Sequence, residues 1–364
     1  MRRPNIAFVV GSLSALRRGS ILTVALVFAA LSLFLLAILA IVDFVLQANS
    51  FPNSFVLVFG LAILFIYLQW AISPAIVRWA IRERRPITAE TNAWLYRTVV
   101  EIAQQAGVPV PKIWESGDPS PNAFVFGRTV GSSELVVTRG LLERLNQDEI
   151  RAVLAHEIGH IRHRDVVIMT LASAVPLLAY IIARAGFEAL RGRVQVKGKG
   201  AGQALLIIIV SAIVSYAVYL VTQLLVRHLS RTREYYADAY SGAATRDPHL
   251  LASALTKISY GLSLARSDAE PTGLRAFMIG DPVKAASDYD ELRHKISAYD
   301  LDKDGQIDAY ELQKAMEVEK KGPWRRANEL FRTHPPTYKR ILMLEEMEEE
   351  LKKGGLPPNI YRFV

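Results

Sequence analysis

Two histidines and a glutamate carry the densest chemistry in this sequence: His156, Glu157 and His160, in the run His156-Glu157-Ile158-Gly159-His160. The residues around them, Ala152 to Ile161, are apolar and helix-forming. On a helix, residues four apart share a face, so both imidazoles can ligate one zinc ion. Glu157 stands next to the first, where its carboxylate can activate water at the metal. That set can do hydrolysis. It lacks one protein ligand, because a catalytic zinc usually takes three plus a water. Glu234, in Arg233-Glu234-Tyr235-Tyr236-Ala237-Asp238, is the best candidate for the third. Asp238 follows one helical turn later on the same face, within reach of the free ring nitrogen of a zinc-bound histidine. The competing reading of Glu234 and Asp238 is an exposed, charged helix face. His163, flanked by Arg162 and Arg164, reads as a polar residue at a membrane surface, and His294 as a structural histidine.

A second kind of chemistry lies in Asp300-Leu301-Asp302-Lys303-Asp304-Gly305-Gln306-Ile307-Asp308-Ala309-Tyr310-Glu311. This is a full EF-hand pattern. Asp300, Asp302, Asp304, Asp308 and Glu311 supply oxygens, the backbone of Gln306 supplies another, and Gly305 allows the sharp turn. It predicts one bound calcium ion. The bland reading is an acidic loop between helices. No second hand is visible to pair with it.

The elements that must position these groups belong to a chain of 364 residues, 51% hydrophobic, with net charge +8 and no cysteine. Mean hydropathy is +0.20, high for a soluble protein. Without cysteine there are no disulfides and no thiolate metal site. The basic residues cluster beside apolar segments, which suits a lipid surface and not nucleic acid. Four apolar stretches approach or exceed the roughly 20 residues that cross a bilayer: about 21–46, 55–76, 166–182 and 204–226. Arg2, Arg3, Arg17 and Arg18 precede the first, which is too long for a cleaved signal and reads as a retained anchor. Arg78, Arg82, Arg84 and Arg85 follow the second. Basic flanks stay in the cytoplasm, so this charge pattern puts the N-terminus and the chain after Arg78 on that side. Arg184, Arg191, Arg193, Lys197 and Lys199, between the last two spans, run against it. Either the earlier charges dominate, or the second hairpin is not a simple crossing.

The boundaries that follow are a transmembrane hairpin (1–80), the first part of a catalytic domain (81–165) and a second hairpin (166–226). The domain's second part (227–282), the EF-hand segment (283–322) and a C-terminal part (323–364) complete the chain. In the soluble parts, Leu95, Val99, Ile102 and Ala103 recur at helical spacing. Lys112 to Glu115, Asn122 to Phe126 and Glu134 to Thr138 read as strands, the last two joined by a turn at Gly127 to Gly131. Asn146 with Glu149 forms a capping box ahead of the histidine helix. Separate helices are expected at Arg231 to Ala243, around Leu250 to Leu264, and at Thr337 to Lys353, the last a charged surface helix. The fold class is predominantly α: a multi-pass helical membrane protein with a small α+β domain carrying the HExxH helix.

Taken together, Pro121-Asn122-Ala123-Phe124, Val136 to Leu142, the HExxH run, Arg233 to Asp238, and Thr333-His334-Pro335-Pro336 with Arg340 resemble the HtpX-type membrane zinc metalloproteases, relatives of the CAAX-prenyl endopeptidases. The resemblance covers most of the chain in the family's order. It implies His156, His160 and Glu234 as ligands of one zinc, Glu157 as catalytic base, and Asp238 as a residue behind the ligands. It also implies that Asn122 and the strand around Leu135 to Val137 border a substrate cleft. His334 would stabilise charge near the scissile carbonyl or shape a turn. The implied activity is zinc endopeptidase cleavage of misfolded or damaged membrane proteins at the cytoplasmic face of the cell membrane, in protein quality control under stress. The EF-hand departs from the family, and calcium tuning of the protease is the expectation it raises. The alternative function is a catalytically inactive, calcium-responsive membrane adaptor. A transporter is disfavoured because the spans carry almost no charge.

Overall fold

The computed structural model describes residues 6–46, 51–81, 83–193, 201–264, 334–355 and 360–363. The EF-hand loop Asp300–Glu311, its flanks, His294 and Thr333 lie outside them. The chain divides into two compact units, one of Arg17–Ser73 with Ile168–Leu229, the other of Met1–Leu16, Pro74–Val167 and Ser230–Val364. The contacts thus divide the chain after Leu16, Ser73, Val167 and Leu229; the apolar pattern places boundaries after 80, 165 and 226 and none near 16.

Among the described residues, four helices are long and apolar enough to cross a membrane: α1 (Ile6–Leu46), α2 (Phe51–Ala80), α6 (Asp165–Glu188) and α7 (Ala201–Thr245). Within the first unit, Val27, Leu31, Phe34, Leu35, Ala172 and Val175 are buried together. The outward surface is equally apolar: Leu33 is 68% exposed and Val56 71%. In water such a surface would be an aggregation liability, and against lipid tails it costs nothing. Pro176 does not end the third apolar stretch; α6 runs on through it to Glu188, beyond the expected end at 182. α6 and α7 meet through small residues, with Ala179, Ala183 and Ala212 fully or almost fully buried. A methyl carbon added at Gly186 would stand 2.7 Å from the Ala212 side chain, so only glycine permits that approach.

The second unit is built on a four-stranded sheet of order β1-β2-β4-β3: β1 (Arg84–Pro86), β2 (Lys112–Ser116), β3 (Ala123–Phe126) and β4 (Glu134–Thr138). β1 runs antiparallel to β2, β2 parallel to β4, and β3 antiparallel to β4 with Val125 opposite Leu135. The three expected strands form, and β1, exposed throughout and only three residues long, gave no sequence signal. α3 (Ala93–Ala106) buries Leu95, Val99, Ile102 and Ala103, its periodic apolar residues. α4 (Arg139–Arg144) is separate from α5 (Gln147–His163), and α8 (Pro248–Leu264) and α9 (Thr337–Lys352) belong to the same unit. These helices share one core with the sheet, including Leu135, Leu154, Ile158, Leu251 and Leu344. Arg231 to Ala243 is no separate helix but part of α7. Hydropathy falls after Val226 while helix propensity does not, and nothing between Val226 and Arg231 breaks a helix.

Candidate metal centre

α5 begins as its sequence prescribes. Asn146 Oδ1 accepts the Glu149 N–H at 2.9 Å, and Glu149 Oε2 accepts the Asn146 N–H at 3.0 Å. Glu149 also takes the Ser253 hydroxyl at 2.6 Å and the Lys257 ammonium at 2.7 Å, both on α8. α5 is buried on nearly every side, including His156, Glu157 and Gly159. Such a helix supports polar residues only if each finds a partner.

The partners converge. His156 Nε2 and His160 Nε2 lie 3.1 Å apart. Glu234 Oε2 is 3.7 Å from His156 Nε2, and Glu234 Oε1 is 3.5 Å from His160 Nε2. One ligand atom from each residue falls within 4.8 Å of the others. A tetrahedral ion with bonds near 2.0 Å has ligand–ligand edges of roughly 3.3 Å, so these side chains fit a zinc-sized ion. Two imidazole nitrogens facing each other at 3.1 Å beside a carboxylate suit a shared cation better than a direct contact.

The other ring nitrogens are held from behind. His156 Nδ1 is 2.9 Å from Asp238 Oδ1, the relation that Asp238's spacing from Glu234 suggested. Asp238 in turn receives Arg340 Nε and Nη2, each at 2.7 Å. Arg340 Nη1 lies 3.3 Å from Glu234 Oε2. His160 Nδ1 is 2.6 Å from Asp165 Oδ2, and Arg233 donates to Asp165 Oδ1. Burial, then the neighbouring His156, push the His160 imidazole down to about 3, so it is neutral with a lone pair to give. Burial raises the Glu157 carboxyl well above its usual range, and the Glu234 charge adds to this; Arg340 and the Val125 N–H only partly oppose them.

His334 is nearly buried, with Nδ1 3.4 Å from Glu234 Oε1, so it joins the cluster. Asn122 is buried just ahead of β3. Its amide N–H goes to Thr138 Oγ1 at 2.8 Å, its side-chain oxygen accepts the Ala123 N–H at 3.0 Å, and its carbonyl accepts the Thr138 N–H at 3.0 Å. The strand Leu135 to Val137 is not an edge: β4 is paired on both sides. The edge next to α5 is β3, whose four residues are all buried. His163 lies at the end of α5. It is no surface residue but is buried, with Nε2 3.1 Å from the Tyr361 hydroxyl. Burial, and after it the charge of Arg233, hold its imidazole well below its usual range. Sequence reasoning missed Asp165, Arg233 and Tyr361. An acidic residue opening a helix is too common to single out Asp165, and Tyr361 is almost 200 positions from its partner.

A family model described as "Peptidase family M48" matches residues 89–348. "Protease HtpX homolog" of Aeropyrum pernix is 33% identical over 302 residues, 81% of this chain and 86% of that protein. "Protease HtpX homolog" of Methanothermobacter thermautotrophicus is 39% identical over 208 residues, 57% of this chain and 75% of its own. "Protease HtpX homolog 2" of Methanosarcina acetivorans is 30% identical over 339 residues, covering 92% and 96%. A crystal structure of S. mikatae Ste24p aligns with TM-score 0.41 and 21% identity over 67% of this chain and 59% of that one.

Proposed function

The chain belongs to peptidase family M48 and is a membrane metalloprotease; on that premise we propose a zinc-dependent endopeptidase in which His156, His160 and Glu234 hold the ion and Glu157 is the catalytic base. The observation that carries this reading is the convergence of those three ligand atoms within 4.8 Å, with Glu157 buried on the same helix. Zinc bound there would polarise a peptide carbonyl and lower the pKa of water to about 7. Glu157, beside His156 on α5, would serve as the base that takes a proton from the attacking water and passes it to the leaving amine. Asp238 fixes the His156 ring and holds the proton on its Nδ1. His334, against Glu234, is placed to stabilise charge on the scissile carbonyl oxygen. β3 is the outermost strand of the sheet on the α5 side, and an extended substrate would pair along its backbone, displacing the contacts that Ala123 and Val125 make there with Asn122 and Glu157.

The substrates we propose are misfolded or damaged membrane proteins, cut on the cytoplasmic side of the plasma membrane. Four bilayer-length helices and the arginines at both ends of the first hairpin support that location. The acidic loop Asp300, Asp302, Asp304, Gln306, Asp308 and Glu311 is proposed to bind one calcium ion and tune the activity. Activity indifferent to calcium, with zinc retained, would end that part of the proposal. The central claim is tested by casein hydrolysis in detergent with wild type and Glu157→Gln, each with zinc and with chelator. We expect activity only in the zinc-loaded wild type, and equal activity in both proteins would sink it.

A further inference from the structure

Each imidazole of the pair has its second ring nitrogen on a carboxylate, and each carboxylate has its own buried arginine. For His156 the chain is Asp238 and Arg340. For His160 it is Asp165 and Arg233, and here the contact is tighter: Nδ1 to Asp165 Oδ2 is 2.6 Å, against 2.9 Å on the other side. Arg233 is 1% exposed and also donates to the His163 carbonyl at 2.7 Å, so it binds the end of α5 as well as Asp165. We infer that Asp165 is the positioning residue of His160, with Arg233 as its anchor, completing a second His–Asp–Arg relay behind the metal centre. This rests on the metal reading proposed above.

The local structure explains how a residue five positions after His160 returns to it. Arg164 closes α5 in the left-handed region, φ 63°, and the turn it makes leaves Asp165, the first residue of α6, against His160. Arg233 directly precedes Glu234, so one turn of α7 supplies both a candidate ligand and the anchor that orients another. A carboxylate on Nδ1 keeps the proton there, leaves Nε2 as the donor atom, and makes the ring a stronger ligand. The arginine keeps the buried carboxylate charged. The competing role for Asp165 is that of an acidic residue stabilising the start of α6. That role affects stability and not metal affinity, which separates the two.

The experiment is zinc competition against a chromogenic chelator, on the full chain in detergent. It is paired with thermal unfolding of the metal-free protein and the visible spectrum of the cobalt-loaded form. For Asp165→Asn we expect zinc affinity to fall 10–100-fold and the cobalt spectrum to shift. Ser241→Ala is the control. It removes a buried hydrogen bond between α7 and α5, from Ser241 Oγ to the Ala152 carbonyl at 2.6 Å, without touching an imidazole. It should lower Tm and leave zinc affinity alone. An Asp165→Asn protein that holds zinc within twofold of wild type overturns the inference, whatever its Tm. Should that variant not fold, Arg233→Lys, which keeps the charge and loses the fork, is read by the same two outcomes. A wild type whose zinc affinity is unaffected by His156→Ala overturns the metal reading as well. A wild type that needs His156 but not Asp165 overturns only the relay.

Discussion

Gly159 and Tyr240 pack so closely that even a methyl group at Gly159 would crowd the ring: a Cβ there would lie 3.1 Å from Tyr240 Cδ1 and 3.4 Å from Ala237 Cα. α5 and α7 therefore approach at the middle of the HExxH run. That approach brings Glu234, one turn before Ala237, toward the two histidines.

Gly159→Ala gains up to about 1 kcal/mol of helix propensity but asks the Tyr240 ring to give way by a few tenths of an ångström. We expect Tm to change little and zinc affinity to fall severalfold. Gly159→Leu overpacks the contact at a cost of about 1–3 kcal/mol and should abolish zinc retention in a chelator competition. A Leu variant with wild-type zinc affinity would show that the α5–α7 spacing does not set the site.

Glu149 links the start of α5 to α8 and gives a pH-dependent prediction. Burial raises its carboxyl, but Lys257, Ser253 and the Asn146 N–H outweigh this and hold it below the ordinary 4.5. A carboxylate depressed in the folded state stabilises above its unfolded pKa, and that contribution is lost as pH falls through the folded one. Glu149→Ala should therefore cost about 1–3 kcal/mol at pH 7, as a lost cap and charged hydrogen bonds. The gap between wild type and variant should narrow progressively as pH falls from the ordinary carboxylate range through the depressed folded value. A denaturant-unfolding series from pH 7 down to about pH 2.5 measures it, and a gap that does not change across the series refutes the assignment.

Much of this arrangement is legible in the chain because it is local. The His156–His160 spacing, the Asn146–Glu149 box and the apolar face of α3 each depend on residues within a few positions. What is not legible depends on distant partners. His163 reads as polar surface because its neighbours are arginines, yet Tyr236, Tyr240 and Tyr361 surround its ring. The cleft border at Leu135 to Val137 is implied by the resemblance alone, and the position of β4 inside the sheet is not legible, because a strand's apolar pattern is the same at an edge and in the middle. The join at Arg231 was hidden because apolar periodicity reports what surrounds a helix, and that surrounding changes along α7 while the backbone does not.

Tyr361 tests the least legible of these contacts. Its ring stacks on Tyr236 with centroids 4.7 Å apart at 27°, and its hydroxyl meets His163 Nε2 at 3.1 Å. The short 3₁₀ turn Ile360–Phe363 thus packs against the last residue of the histidine helix, three positions beyond His160. Tyr361→Phe keeps the stacking and removes the hydroxyl from a buried imidazole, which should cost about 1 kcal/mol. Tyr361→Ala removes the ring as well and should cost about 3–5 kcal/mol. Denaturant midpoints of the two variants read the hydroxyl and the ring separately. Equal stability of Tyr361→Ala and wild type would show that the C-terminal turn packs here without holding the helix.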